Sequence, residues 1–476
     1  MTYEEEINYF SEIERKSVVI RHFSKLKKIS FLDHHTCHAY YALYGGELSE
    51  KKFKDTLVVT ADAYGDNKNW SVSIVNKNGT LKRLASGNNF TVARIYKFCT
   101  LILGMKPNEH EYKVMGLSSY SNSHYHIEKV EKIFFDVLDF KEGNFKSKKP
   151  LIDSYFDLKM RLEGHRFDNI AAALQNWSSK VTLKWIEYWL KKTKKKGLAF
   201  SGGLSMNIKA NGDIMNSSLV NWLSIPASGG DESLCIGACY YYATTNKIKT
   251  REMKSPYLGS SSILNNNWSN RLKNTKMHKD DFILIENFNN KKAAKLLERD
   301  EILARCVGRA EFGARALGNR SIIANPKNVE NIKKINNLIK NRDFWMPFTP
   351  SILTEKANLF LKNSKNVISP YMTIGYETKD YAVQNIKACL HPGDNTARPQ
   401  FVKKNYNKDY WSLINEFYKL TNIPCLLNTS LNLHGEPMNY TISDAVRTLA
   451  LSSLDFLLLP NNTLLVKKKA KNKLKE

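Results

Sequence analysis

The order of hydrophobic and polar residues predicts an α/β protein in which short strands alternate with helices. In the first half, Asp33 stands where it can cap a helix over HHTCHAYYALY, which ends at Gly45. The segments TLVVTAD (56–62) and WSVSIVNKNGTLKRL (70–84) read as strands, with Asn-Gly at a hairpin turn. A long helical pattern then runs over residues 167–191.

Glycine turns and a change in composition divide the rest of the chain. GLAFSGGLSMN and IPASGGDESLCIGACYYYA both follow the order strand, glycine turn, helix, which is typical of nucleotide-binding α/β folds. Residues 251–266 are rich in Ser, Asn, Pro and Gly. A second α/β unit begins with DDFILIENF and reaches a last apolar strand at DFLLLP, before a charged tail that is expected to fray. We therefore predict domains at 1–250 and 267–476, joined by a linker at 251–266.

Length and composition favour a two-domain enzyme. The chain has 476 residues, of which 42% are hydrophobic and 11% aromatic, as in soluble α/β enzymes. Its net charge of +26 raises the question of nucleic acid binding. The lysines, however, are spread in short runs beside Asn and Ile, a bias that an AT-rich genome also produces. Nucleic acid is therefore not the favoured partner.

Cysteine spacing and hydropathy predict a reduced, cytoplasmic protein. The seven cysteines include no C-x-x-C pair and mostly lie in apolar runs. No stretch approaches the roughly 20 apolar residues of a membrane span, and MTYEEEINYF does not resemble a secretory signal. We expect no membrane association.

Three histidines near the start of the chain suggest a metal site. His34 and His38, at positions i and i+4, would face the same side of a helix and could share one cation. Asp62 and Asp231, after strand-like runs, are the best candidates for further ligands. His35 points away from the pair and is the nearest candidate base. The alternative is that these histidines only pack or hydrogen-bond in a turn. The donor set suits Fe, Mn or Mg about as well as Zn.

Glycine pairs and polar residues suggest a nucleotide site. SGGLSMN (201–207) and SGGD (228–231) each contain two glycines in a row. Because glycine has no Cβ atom, a phosphate or ribose could approach the backbone there, although most such pairs are simple turns. NTSLN (428–432) adds short polar groups that could hold a carbamoyl amide or a phosphate.

Several cations stand in glycine-rich or polar turns between apolar strands. Guanidinium groups in such places can bind phosphate oxygens in a bidentate way, and surface charge is rarely embedded among Gly, Ala, Leu and Phe. The candidates are Arg309, Arg315, Arg320, Lys340, Arg342 and Arg398.

The sequence resembles the NodU/CmcH-type O-carbamoyltransferases from about residue 31 to residue 459. The blocks that carry the resemblance include HHTCHA, TADAYGD, HEYKVMGLSSY, SGGLSMNIKANG, PASGGDESLCIGA, GRAEFGARALGNRS, PFTPSIL, HPGDNTARPQ and LLNTSLNLHGEPM, in the family's order. The resemblance implies an ASKHA (actin/hexokinase-like) first domain and a YrdC-like second domain. It also implies that the second domain forms carbamoyl adenylate from carbamoyl phosphate and ATP, and that the first transfers the carbamoyl group to a hydroxyl.

The resemblance further implies roles for individual residues. His34, His38, Asp62 and Asp231 resemble the metal ligands, and Lys113 would line the pocket that holds the adenylate. Lys340 and Arg342 resemble the K-x-R element of YrdC-like domains, and Ser430 and Asn432 resemble the S-x-N element. The remaining cofactor-binding candidates are Gly202, Gly203, Asn207 and Gly230 for the adenylate, and Arg309, Arg315, Arg320 and Arg398 for carbamoyl phosphate and the ATP phosphates.

The chain departs from the family pattern at its start, where the usual strand-hairpin segment with a first phosphate-loop motif is not found. A separate chain could supply that segment, and a partner-dependent or inactive subunit is one alternative function. Carbamoyl transfer to tRNA is another. The leading prediction is transfer to a sugar or secondary-metabolite acceptor by a chain that can form a homodimer.

Overall fold

The computed structural model describes residues 17–23, 30–253, 255–262, 267–340 and 343–474. The predicted site residue Arg342 lies outside the described residues. Within them the chain is a mixed α/β protein, which confirms the predicted fold class. The ASKHA-like and YrdC-like assignments of its two parts stay predictions.

The first part of the chain is built on a five-stranded sheet of order β3-β2-β1-β6-β7. Strand β1 pairs antiparallel with β2 and parallel with β6, so the carboxyl ends of β1 and β6 meet at one edge. The helices are α1 (17–22), α2 (His34–Tyr44), α3 (Val92–Ile102), α4 (Glu111–Leu117), α5 (His124–Val137), α6 (Phe156–Leu162), α7 (Phe167–Thr193), α8 (Ile208–Asn216) and α9 (Leu234–Thr245). The strands are β1 (Thr56–Gly65), β2 (Lys68–Val75), β3 (Leu81–Gly87), β4 (Asp139–Lys141), β5 (Asn144–Lys146), β6 (Gly197–Ser201) and β7 (Trp222–Ser224).

The second part is built on an eight-stranded mixed sheet of order β14-β11-β15-β10-β9-β16-β17-β8. Its helices are α10 (Asn290–Glu298), α11 (Glu330–Ile335), α12 (Ala357–Phe360), α13 (Asp380–Ile386), α14 (Lys408–Thr421) and α15 (Ile442–Leu451). Its strands are β8 (Phe282–Ile285), β9 (Leu303–Cys306), β10 (Arg320–Ala324), β11 (Thr349–Leu353), β12 (Tyr376–Glu377), β13 (Thr396–Ala397), β14 (Gln400–Val402), β15 (Cys425–Ser430), β16 (Phe456–Leu459) and β17 (Thr463–Lys467).

Local signals in the sequence identified several of these elements correctly. The side chain of Asp33 accepts a hydrogen bond from the backbone N–H of Thr36 and so caps α2, which ends at Gly45. The Asn-Gly segment joins β2 and β3 as a hairpin, and the long helical pattern becomes the 27-residue α7. Among the described residues, no helix has the length and apolar character needed to cross a membrane.

The prediction for the end of the chain was wrong. Strand β16 is not the last strand, because β17 follows it after a turn and pairs with both β16 and β8. The tail does not fray within the described residues: Lys468–Leu474 forms 3-10 turns in which Ala470 is buried. Lys473 Nζ lies 3.1 Å from a carboxylate oxygen of Glu301 and 2.9 Å from one of Asp455, and these ion pairs hold the tail against the sheet.

The two parts of the chain pack closely against each other. Tyr41 and Ala227 of the first part share a buried apolar cluster with Leu317 and Tyr371 of the second. The side chain of Asn211 donates a hydrogen bond to the carbonyl oxygen of residue 373, at 2.7 Å. The domain boundaries themselves stay predictions, although the two large sheets lie on either side of residues 251–266.

A buried histidine in the loop before β13 also joins the two parts. His391 Nδ1 accepts a hydrogen bond from the N–H of Gly393 at 3.0 Å, so the ring proton lies on Nε2 and is donated to the carbonyl of Gly116 at 2.7 Å. Burial lowers the pKa of His391 to about 4, and the charge of Arg398 acts in the same direction, whereas Asp394 opposes them. The neutral ring therefore satisfies both of its hydrogen bonds.

We predict that His391 makes the protein less stable in mild acid. Because its folded pKa of about 4 lies below the ordinary value of 6.5, the unfolded chain binds the proton more readily, and stability falls as the pH drops from 6.5 towards 4. This effect amounts to at most about 3 kcal/mol. His391→Gln can still donate to Gly116 but does not titrate, so urea unfolding at pH 7 and pH 4.5 should show a smaller loss for the variant than for the wild type. Equal losses would contradict this prediction.

Candidate active site

A cavity of about 1360 Å³ lies between the two parts of the chain and is lined by residues of both. It is large enough for a nucleotide together with a second small molecule, since ligand pockets typically measure about 300–1,000 Å³. Most of the predicted site residues reach it. Those that line it are Asp62, Lys113, Gly203, Asn207, Gly230 and Asp231 from the first part, and Arg315, Lys340, Arg398, Ser430 and Asn432 from the second.

The predicted metal ligands form one compact cluster at the edge of this cavity. His34 and His38 lie on the same face of α2, with their Nε2 atoms 3.0 Å apart. Asp62 extends from β1, and its Oδ2 is 3.5 Å from His34 Nε2 and 3.2 Å from His38 Nε2. Asp231 follows the second glycine turn, and its Oδ1 is 3.5 and 3.6 Å from the same two nitrogens. The four donor atoms lie within 4.8 Å of one another.

Electrostatics couple the histidines and carboxylates of this cluster. Burial raises the pKa of Asp62, but hydrogen bonds to His34 and His38 and to the N–H of Gly203 outweigh burial and hold the pKa well below its usual range. Burial likewise opposes protonation of His38, and hydrogen bonds to Asp231 and Asp62 outweigh it, so that the pKa of His38 is raised. Two imidazole nitrogens and two carboxylate oxygens converging in this way fit a divalent cation, because such donors suit Fe, Mn, Mg or Zn.

We predict that this cluster binds a divalent cation. A ligand bound only by the folded state, present at 100 times its Kd, stabilises a protein by about 2.7 kcal/mol. Mn²⁺ should therefore raise the melting temperature of the wild type, and His38→Ala should abolish the increase. His126→Ala is the control, since that histidine is exposed and outside the cluster. A Mn²⁺-dependent shift that survives in His38→Ala would rule out this metal site.

The structure does not bring His35 to the cavity. The side chain is fully buried, and its Nδ1 lies 2.7 Å from the hydroxyl of Thr60, which in turn lies 2.7 Å from that of Ser71. Burial lowers the pKa of His35 to about 4. Helix geometry explains the difference from the sequence-based expectation: a side chain one position after His34 points about 100° away around the helix, which here is into the core. Its placement does not support a role as base.

Some of the predicted glycines line the cavity, whereas one is required by the conformation of its turn. Gly203 and Gly230 line the cavity, and Gly203 donates its N–H to Asp62 Oδ2 at 3.0 Å. Gly202 does not line it: its φ is +97°, and a Cβ there would lie 2.2 Å from the carbonyl oxygen of Ala61, so this glycine is needed for the turn itself. Asn207 lines the cavity, but its amide is engaged with Gln175 and caps α8.

Two of the predicted arginines form the cationic wall of the cavity. Arg315 and Arg398 both line it, and among the described residues neither guanidinium has a hydrogen-bond or ion-pair partner. Arg398 is only 7% exposed, and its Nη2 is buried without a partner. Burial, together with the positive charge of Arg315, lowers the pKa of Arg398 to about 10. An anion bound here would supply the missing partners.

Two further candidates, Arg309 and Arg320, bond to backbone carbonyls and do not line the cavity. Arg309 donates to the carbonyl oxygens of Leu258 and Gly259 and does not line the cavity. Arg320 is fully buried and donates to the carbonyl of Tyr440 and to carbonyls of its own loop. Their positions therefore do not support a role in binding a phosphate in this cavity.

Lys340, Ser430 and Asn432 lie together on the wall of the cavity. The buried Nζ of Lys340 donates to Ser430 Oγ at 3.1 Å and to Asn432 Oδ1 at 2.6 Å. Ser430 Oγ also donates to Asn432 Oδ1 at 2.6 Å. Lys113 enters the cavity from the other part of the chain and pairs with Asp343 at 3.0 Å.

Sequence reasoning missed His434 and Asp343 as cavity residues. His434 Nδ1 lies 2.6 Å from the backbone carbonyl of Lys340, so Nδ1 carries a proton and donates it to that oxygen. The signal for His434 was present in the sequence, since it stands two residues after Asn432 in the same NTSLNLHGEP block. Asp343 has no comparable motif and becomes visible only through its ion pair with Lys113.

Fold and cavity define an α/β protein in which a candidate metal cluster and several cations meet at one cavity. Family models described as Carbamoyltransferase N-terminus and Carbamoyltransferase C-terminus match residues 4–240 and 294–468. The chain belongs to the carbamoyltransferase family, and it is a transferase.

Similar proteins agree with this family and confirm the NodU-type resemblance. An uncharacterized protein of Methanocaldococcus jannaschii is 32% identical over 96% of this chain and 88% of its own length. The nodulation protein NolNO of Sinorhizobium fredii is 29% identical over 93% of this chain and 64% of its own length. The nodulation protein NolO of Bradyrhizobium diazoefficiens is 28% identical, with 90% and 78% covered.

Proposed function

We propose that this protein is an ATP-dependent O-carbamoyltransferase. It forms carbamoyl adenylate from carbamoyl phosphate and ATP, and transfers the carbamoyl group to a hydroxyl of a sugar or secondary-metabolite acceptor. The observation that carries the proposal is the single cavity lined both by the metal-ligand candidates Asp62 and Asp231 and by the cations Arg315, Lys340 and Arg398.

The cations that line the cavity suit formation of the adenylate. Carbamoyl phosphate, ATP and water give carbamoyl adenylate, pyrophosphate and phosphate, and every participant except water is anionic or leaves as an anion. Arg315 and Arg398 line the cavity and have no hydrogen-bond or ion-pair partner among the described residues, so their N–H groups can bind phosphate oxygens. Lys340, held by Ser430 and Asn432, can neutralise charge on the leaving groups.

The metal-ligand cluster suits transfer of the carbamoyl group to the acceptor. His34, His38, Asp62 and Asp231 would hold a divalent cation that polarises the carbamoyl group and lowers the pKa of the acceptor hydroxyl. Gly203 and Gly230 lack side chains at the cavity wall, so the adenylate phosphate can approach their backbone. Because the cations and the carboxylates of the metal-ligand cluster line one cavity, the carbamoyl adenylate need not enter bulk water between the two steps.

We predict that Lys340→Met and Ser430→Ala each reduce carbamoyl-phosphate-dependent pyrophosphate release from ATP by about 100-fold or more, because each removes a preorganised group near developing charge. Lys334→Met is the matched control, since Lys334 is exposed on α11, and it should retain the rate. His38→Ala should keep pyrophosphate release, because His38 belongs to the metal-ligand cluster and not to the group of side chains around Lys340.

Either of two results would contradict the proposal. Pyrophosphate release by folded Lys340→Met at the wild-type rate would contradict the proposed role of Lys340 in adenylate formation. Equal loss in His38→Ala and Lys340→Met would contradict the assignment of the two steps to separate groups of residues.

A further inference from the structure

Asp394, Ser119 and Lys209 form a polar cluster at the boundary between the two parts of the chain, here called the Asp394 clasp. Asp394 Oδ2 accepts hydrogen bonds from Ser119 Oγ at 2.6 Å and from Lys209 Nζ at 2.9 Å. Lys209 Nζ also donates to Ser119 Oγ. Ser119 and Lys209 belong to the first part and Asp394 to the second, so the clasp joins the two.

The clasp connects three elements that line the cavity. Ser119 follows α4, whose first turns carry Lys113 into the cavity. Lys209 lies in the first turn of α8, directly after the lining residues 207 and 208. On the other side, Asp394 Oδ1 accepts hydrogen bonds from the N–H of Thr396 at 2.9 Å and from its hydroxyl at 2.6 Å. Arg398, at the cationic wall, stands two residues further on.

The backbone is built for this contact. A Cβ at Gly393 would lie 2.3 Å from the carbonyl oxygen of Ser119, so the loop approaches α4 as closely as only glycine allows. Burial raises the pKa of Asp394, but Lys209 and the hydrogen bond from Ser119 outweigh it and hold the pKa well below its usual range. The carboxylate is therefore ionised throughout the neutral range, and substitution rather than pH is the way to break the clasp.

We propose that Asp394 is a positioning residue that acts through Arg398, by fixing the loop from Gly393 to Arg398 against α4 and α8. Arg398 is anchored by no hydrogen bond of its own among the described residues, so its guanidinium depends on its backbone for placement. The proposal rests on the proposed function only in taking Arg398 as a group that binds a phosphate-bearing substrate.

Holding the two parts together does not require the clasp. Lys403 Nζ lies 2.8 Å from a carboxylate oxygen of Glu47, and Lys365 Nζ donates to the carbonyl of Met215 at 2.7 Å. Together with the apolar cluster around Tyr41, these contacts should keep the two parts of the chain together when the clasp is broken. Loss of the clasp should therefore change the site more than the fold.

The test is a double-mutant cycle on binding of inorganic phosphate, measured by calorimetric titration. Arg398→Met should weaken phosphate binding by about tenfold, and Asp394→Asn by about five- to tenfold. If Asp394 acts through Arg398, the double variant should bind no more weakly than Arg398→Met alone. Lys209→Met, which leaves the bonds to Thr396 in place, should show the same non-additivity. Glu142→Gln and Lys146→Met are the controls, since they alter an ion pair on the exposed surface.

Additive losses, or unchanged binding in folded Asp394→Asn and Lys209→Met, would overturn the proposal. In the pyrophosphate-release assay, Asp394→Asn should raise the KM of the same substrate as Arg398→Met does, with a smaller change in kcat. If the effects on phosphate binding are non-additive but the protein releases no pyrophosphate, the proposed function is refuted and the positioning role of Asp394 is supported. If the protein releases pyrophosphate but the effects on phosphate binding are additive, the proposed function is supported and the positioning role of Asp394 is refuted.

Discussion

The parallel pairing of β1 with β6 is the constraint on which the site depends. Thr60 and Ser201 are partners in this pairing, so the residues that follow the two strands emerge side by side. Asp62 therefore accepts the N–H of Gly203, and its carboxylate is fixed where α2 presents two histidines. A side chain at position 202 would collide with the carbonyl of residue 61 and push the two strand ends apart.

The cavity combines two carboxylates that pair with histidines and two arginines that have no partner among the described residues. Asp62 and Asp231 both lie within ion-pair distance of His34 and His38. Arg315 and Arg398 instead lie close enough for the charge of Arg315 to lower the pKa of Arg398. Like charges without partners are unfavourable until a ligand neutralises them, and phosphates bound to the arginines would do so. This arrangement suits the proposed reaction, in which carbamoyl phosphate and ATP both carry negative charge on their phosphates.

The sequence predicted the parts of the site that lie on regular elements. Helix periodicity placed His34 and His38 on one face, and strand ends placed Asp62 near them. Periodicity does not extend into loops, so it could not distinguish Arg309 from Arg315: both stand in one glycine-rich segment, yet only Arg315 lines the cavity. Strand β17 was missed because TLLVK is short and follows a turn that resembles the end of a domain. His391 and Asp394 matter through contacts with residues about 180 to 280 positions away in sequence, which no local pattern reveals.

The central claim is that one cavity holds both the metal and the nucleotide. The most direct measurement is a crystal structure of the wild-type chain with Mn²⁺ and a non-hydrolysable ATP analogue, in which anomalous scattering locates the manganese. The account predicts manganese between His34, His38, Asp62 and Asp231, and phosphates against Arg315, Arg398 and Lys340 within the same continuous cavity. Manganese bound elsewhere, or a nucleotide in a separate pocket, would contradict it.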